Sequence, residues 1–295
     1  MHSVVSVEEK LPVVVGVDDV PDGLQIVDIA ATEAARVGVP LRIVHAWPGR
    51  HGGMPRHRAL RPDPADGRHL LDLASLRARR VAPGVTVRTE LADDSAAEAL
   101  IRHSGRAGLL VLRHRDESTL GHGWGSTAAY VAHHSHCPLL VFRGATGGQG
   151  PVVVATSGRP TATVGSAFEA ASRAGCPLAA AHVWTTGSGD DDTERRSAEE
   201  RMRRTLARAA RTWPDVIVNR LLLSDADVPY TVERASRRGR LLVAGRGHKG
   251  WLVEMLYHIG RSSPSERRLC PVLLIPPGWS GVGLPRATVA GTSWF

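Results

Sequence analysis

The feature that most constrains this chain is that one pattern is written twice. Pro12-Val13-Val14-Val15 returns as Pro151-Val152-Val153-Val154, and Gly38-Val39-Pro40-Leu41 as Gly175-Cys176-Pro177-Leu178. His45-Ala46-Trp47 returns as His182-Val183-Trp184, Leu109-Leu110-Val111 as Leu241-Leu242-Val243, and Cys137-Pro138-Leu139-Leu140 as Cys270-Pro271-Val272-Leu273. The five pairs keep their order and nearly the same offset, which marks a tandem duplication. Its seam is Gly144 to Gly150, GATGGQG, the composition of a flexible linker. Whatever one copy folds into, the other must fold into as well, and 295 residues hold two domains of ordinary size.

The period within each copy alternates between strand and helix. Continuous apolar runs such as Val13 to Val17 predict strands buried on both faces. Asp28 to Val37 reads as a helix closed by Gly38, with Ile26, Ile29, Ala30 and Ala34 on one face. Leu41 to Ala46 is a second strand, followed by a polar loop, His51 to Gly67, and a helix from His69 to Arg80. Val85 to Leu91 alternates as a strand, and Ser95 is the N-cap of a helix running to Ser104. Leu109 to Leu112, a glycine-rich loop, a helix from Ser126 and a strand from Leu139 to Phe142 complete the unit. The second copy repeats this with strands at Val152 to Ala155, Leu178 to Val183, Val216 to Leu223, Leu241 to Ala244 and Val272 to Ile275. Its helix Thr193 to Thr212 carries Met202, Leu206, Ala209 and Trp213 as a core stripe under Arg and Glu decoration. Strands alternating with helices imply two α/β doubly wound domains, each a five-stranded parallel sheet with helices on both faces. The boundaries are 11–143 and 151–276, with a loose tail at 277–295.

Sheets of this kind hold ligands beyond the C-terminal strand ends, where strand order reverses. That places Asp18, just past the first strand, near the loop after Leu112. In that loop Gly125-Ser126 opens a helix, and the free N–H groups of a helix start suit a phosphate.

Composition excludes several classes. No apolar run reaches the ~20 residues that span a bilayer, and the first ten residues, MHSVVSVEEK, lack the basic start and apolar stretch of a signal peptide. Cys137, Cys176 and Cys270 are far apart and suggest buried structural thiols rather than a disulfide framework, which fits a reducing cytoplasm. The net charge of +8 invites a nucleic-acid reading. Yet the basic residues are scattered among acids and are nearly all Arg, with Lys only at 10 and 249, and no reading-helix motif accompanies them.

Other motifs lack their context. Gly245-Arg246-Gly247-His248-Lys249-Gly250 is a literal GxGxxG, but it follows the fourth strand of its copy, not the first. His258-Ile259-Gly260 is misplaced in the same way for a nucleotidyl transferase. His133, His134, His136 and Cys137 are dense, but no further ligands at zinc-like spacing join them. No nucleophile with its base and no paired acids stand out, so no enzyme is expected.

Taken together, PVVVGVDD, VPLRIVHAW, GWGSTAAYVAHHSHCPLLVF and their second-copy counterparts resemble a tandem universal stress protein, over Leu11 to about Pro276. The resemblance implies a five-stranded parallel α/β sandwich that commonly dimerises through its last strand. It also implies, in ATP-binding members, an acid facing the ribose, a Val near the adenine, and a phosphate loop G-x2-G-x9-G-[S/T]. On these positions the first copy keeps Gly16, Asp18, Val44, Gly125 and Ser126. It replaces the first two loop glycines with Arg113-His114-Arg115-Asp116, where Arg and Asp cannot let a backbone approach phosphate as glycine does. The second copy has Ser157 for Asp18 and Ala244 for the first glycine, and it keeps only Gly247 and Gly250. Two expectations therefore stand side by side. One is a non-enzymatic cytoplasmic stress protein that binds ATP in its first copy and acts through a protein partner. The other is a degenerate scaffold that no longer binds nucleotide. The two copies are expected to pair with each other, because linkage keeps them at high effective concentration, with homodimerisation as an alternative.

Overall fold

Buried valines set the centre of each repeat. The structure, a computed structural model, describes residues 11–19, 23–47, 63–114, 127–144, 148–159, 161–184, 191–224, 227–246 and 269–280. By compactness one unit of these residues ends at Val111 and the other runs from Leu112 to Ser280.

The first unit is built from β1 (Val13–Gly16), α1 (Gln25–Val37), β2 (Leu41–Ala46), α2 (Pro64–Val81), β3 (Val87–Ala92), α3 (Ala96–Ser104) and the start of β4 (Leu109–Arg113). The strands lie in the order β3-β2-β1-β4 and are all parallel, with Val13 paired to Leu41 on one side and Leu109 on the other. Val13, Val14 and Val15 are buried on both faces, as the unbroken apolar run requires. α1 presses Ile26, Val27, Ala30, Ala31 and Ala34 inward, and Gly38 ends it at φ 65°. It starts three residues before the expected Asp28, and Ile29 is only half-buried.

α2 departs further from expectation. It begins at Pro64, with Asp63 as N-cap accepting from Ala65 N–H at 2.8 Å, so the end of the predicted loop is helix. Gly67 is no turn residue: a Cβ there would lie 2.8 Å from Leu91 Cδ1 and 3.1 Å from His45 Cδ2, so glycine lets the helix sit close to the sheet. α3 opens with the expected Ser95, reinforced by Glu98 as a full capping box.

Across β2, β3 and α3, Glu90 accepts from Arg42 (2.9 Å), His103 Nε2 (3.0 Å) and Arg102 (3.3 Å), and Arg102 also pairs with Asp94. Burial pushes the Glu90 carboxyl up. The hydrogen bonds and charge of His103 and Arg42 outweigh it and hold the pKa below the ordinary value.

The second unit holds α4 (Thr127–His134), β5 (Leu139–Phe142), β6 (Val152–Thr156), α5 (Ala162–Ala174), β7 (Leu178–Trp184), α6 (Asp191–Thr212), β8 (Val218–Ser224), α7 (Val228–Arg238), β9 (Leu241–Gly245) and β10 (Val272–Ile275). Its strand order is β5-β10-β9-β6-β7-β8. The five strands of the second repeat are parallel, while β5 runs antiparallel to β10 with Val141 opposite Val272. The last strand of one repeat thus pairs with the last strand of the other. On α6, Met202, Leu206 and Ala209 are buried as the helical stripe predicts, and Trp213 stacks on Phe168 of α5 at 6.1 Å.

The expected flexible linker carries a close contact instead. A Cβ on Gly150 would lie 1.8 Å from the Arg238 carbonyl oxygen, and one on Gly148 would lie 3.1 Å from that of Gly239. These two glycines let the linker run against the end of α7. Beside them Arg143, just past β5, is 8% exposed. Its Nε donates to Cys270 O (2.9 Å) and its Nη2 to Ser236 Oγ (3.1 Å), while Nη1 meets no acceptor among the described residues. Burial pushes this guanidinium's pKa down. Cys270 offsets part of that effect, with its sulfur 3.8 Å from Nη2.

Candidate functional site

The site in the first repeat is assembled by strand register. β1 is flanked by β2 on one side and β4 on the other, so strand order reverses at β1. Gly16, the last residue of β1, is the register partner of Val44 in β2. Val44 is buried and Gly16 half-buried. One residue on, Val17 N–H donates to Val44 O at 3.0 Å, and Asp18 follows at once. Three of the residues singled out from the sequence, Gly16, Asp18 and Val44, therefore meet at one strand end. Asp18 is half-buried, with its Oδ1 shielded from solvent. A carboxylate held there can accept hydrogen bonds from a sugar diol, and the Val44 side of the strand end offers an apolar wall to a flat base.

The other predicted residues, Gly125, Ser126, Gly247 and Gly250, lie outside the described residues. The described residues resume at Thr127, in α4. In the second repeat β6 is flanked by β7 and β9, the same reversal. Its strand end offers Thr156 and Ser157, with no acid.

Sequence reasoning passed over a histidine at each of these strand ends. His45 Nδ1 lies 3.0 Å from Val17 O, and His182 Nδ1 lies 3.1 Å from Thr156 O and 3.3 Å from its Oγ1. The signal was present in the repeated His-Ala-Trp and His-Val-Trp, but a linear motif does not say where a ring points.

The histidine-rich segment does other work. His134 Nδ1–H donates to Tyr130 O at 2.8 Å and its ring stacks on Tyr130 at 4.2 Å. Cys137 and Cys270 are buried as expected, whereas Cys176 is only half-buried. Among the described residues no three His, Cys, Asp or Glu side chains are grouped to hold a metal. Among them, too, no helix is long and apolar enough to cross a membrane.

Comparison with known proteins finds one family throughout. A sequence model of the universal stress protein family matches residues 11–143. That segment carries the family's pattern, and the chain as a whole is similar to members of the family. A universal stress protein of Mycolicibacterium smegmatis is 28% identical over 295 residues, spanning 90% of this chain and 97% of its own length. One of Mycobacterium tuberculosis is 28% identical over 292 residues, 86% of this chain and 92% of its own. Among solved structures, universal stress proteins from Archaeoglobus fulgidus (TM-score 0.56, 17% identity, 90% of this chain and 96% of that one) and Pseudomonas aeruginosa (TM-score 0.59, 16% identity, 90% and 93%) share the fold. These full-length likenesses accord with a universal stress protein fold written twice in one chain.

Proposed function

We propose that this chain is a universal stress protein that binds an adenine nucleotide, ATP foremost, through its first repeat, and acts in a cytoplasmic stress response through a protein partner rather than by catalysis. The observation that carries the reading is the convergence of Gly16, Asp18 and Val44 at the end of β1, where the strand order reverses. Asp18 holds the ribose hydroxyls, Val44 borders the adenine, and Gly16 leaves the strand end open. On the sequence, Gly125 and Ser126 meet the phosphates from a helix start, and the second repeat contributes at most Gly247 and Gly250. The domain limits 11–143 and 151–276 belong to the same reading.

A specific observation favours a second reading, a scaffold without nucleotide. β4 ends in Arg113 where the ATP-binding pattern needs glycine, and Ser157 stands where the second repeat would need its acid. Isothermal titration with ATP separates the two. Wild type should release heat at micromolar ATP, and Asp18→Asn should lose most of it. No heat at high micromolar ATP favours the scaffold. ATP turnover that vanishes in Asp18→Ala would overturn the non-enzymatic reading.

A further inference from the structure

A carbonyl oxygen only accepts, so the proton of the His45–Val17 hydrogen bond resides on Nδ1 of the ring. The acceptor belongs to the planar peptide that joins Val17 to Asp18. The N–H of Val17 is already taken by Val44 O at 3.0 Å. Both backbone polar groups of Val17 are therefore held by consecutive residues of β2, at the point where β1 leaves the sheet and its ladder ends. The ring itself is confined, since α2 passes so near that a Cβ on Gly67 would come within 3.1 Å of His45 Cδ2. The second repeat builds the same bond, His182 to Thr156, and a Cβ on Gly158 would come within 3.2 Å of that ring. There it precedes Ser157, so the second repeat keeps the clamp without the acid.

We propose that His45 is a positioning residue for the nucleotide site: its Nδ1–H pins the Val17–Asp18 peptide plane and so aims the Asp18 carboxylate at the ribose. The inference rests on the nucleotide reading of the first repeat. His182 holds an equivalent turn with no carboxylate to aim, and it serves as the matched control for the purely architectural share of the bond.

The test uses the full chain. Long-range proton–nitrogen correlation spectra of the imidazoles should show His45 and His182 protonated at Nδ1; a neutral ring at His45 protonated only at Nε2 overturns the proposal. Titration with ATP then compares wild type with His45→Phe, His45→Asn and His182→Phe. His45→Phe should weaken binding about five- to ten-fold, the range one hydrogen bond accounts for. His45→Asn, whose Nδ2–H can replace the donor, should recover most of that loss, and His182→Phe should bind as wild type does. Unchanged affinity in His45→Phe, or an equal loss in His182→Phe, overturns the proposal. If wild type takes up no ATP, the nucleotide reading fails by itself. The clamp is then judged from the Asp18 amide resonance, which moves in His45→Phe but not in His182→Phe if the plane is pinned, and stays put if it is not.

Discussion

Two glycine-to-alanine changes in the second unit should have opposite signs. At Gly150 the new Cβ would lie 1.8 Å from Arg238 O, 2.9 Å from Arg238 C and 3.3 Å from Gly239 Cα. An ordinary nonbonded contact is about 3.5 Å, so the linker and the end of α7 must part by roughly 1.5 Å. Both sides are backbone, and no rotamer can absorb the shift. The cost should reach the upper end for overpacking, about 3 kcal/mol. Alanine's smaller unfolded-state entropy returns about 0.4–1 kcal/mol, leaving roughly 2–3 kcal/mol of destabilisation. At Gly165, inside α5, a Cβ meets nothing within 4 Å. There the same substitution should stabilise by about 0.5–1 kcal/mol, the helix preference of Ala over Gly. Urea denaturation followed by circular dichroism measures both. If Gly150→Ala is as stable as wild type, the close approach of the linker to α7 is wrong, and the seam is the loose tether its composition suggests.

Three further outcomes follow from the packing. Because the folded-state pKa of Glu90 is depressed, its stabilisation is complete above the unfolded carboxylate pKa and is lost as pH falls through the folded value. The gap in melting temperature between wild type and Glu90→Gln should therefore shrink under acid, and a pH-independent gap would contradict this. Ser95→Ala removes the capping box of α3 and should cost about 1 kcal/mol in the same urea assay. Arg143→Met should be more stable than Arg143→Lys by about 1–2 kcal/mol. Met fills the stem's space and removes a desolvated charge, whereas Lys keeps the charge without the fork that reaches both Cys270 O and Ser236 Oγ. A more stable Lys variant would refute that account.

Much of the fold was legible because the duplication checks itself. β2, β5 and β10 fall on the residues expected, and the Met202-Leu206-Ala209 stripe is buried. What misled were glycines and charges whose roles depend on distant neighbours. Gly67 looks like loop, but it lies in α2, where His45 of β2 and Leu91 of β3 leave no room for a side chain. Gly148 and Gly150 read as slack, yet they mark a place where two backbones touch. At the candidate site, Gly16, Asp18 and Val44, which strand register brings to one strand end, were singled out through the resemblance. The histidine clamp was not, because it depends on ring direction at a strand end, which no periodicity encodes.

The antiparallel meeting of β5 with β10 has a further consequence. Both strands belong to one polypeptide, whose two repeats meet at residues 143–151, and β10 is bonded along both flanks, to β5 and to β9. Their association is a first-order event that dilution does not loosen. β10 has no bare amide row on which another strand could grow. Cutting the chain between Gly144 and Gly150 would turn this internal seam into a concentration-dependent one.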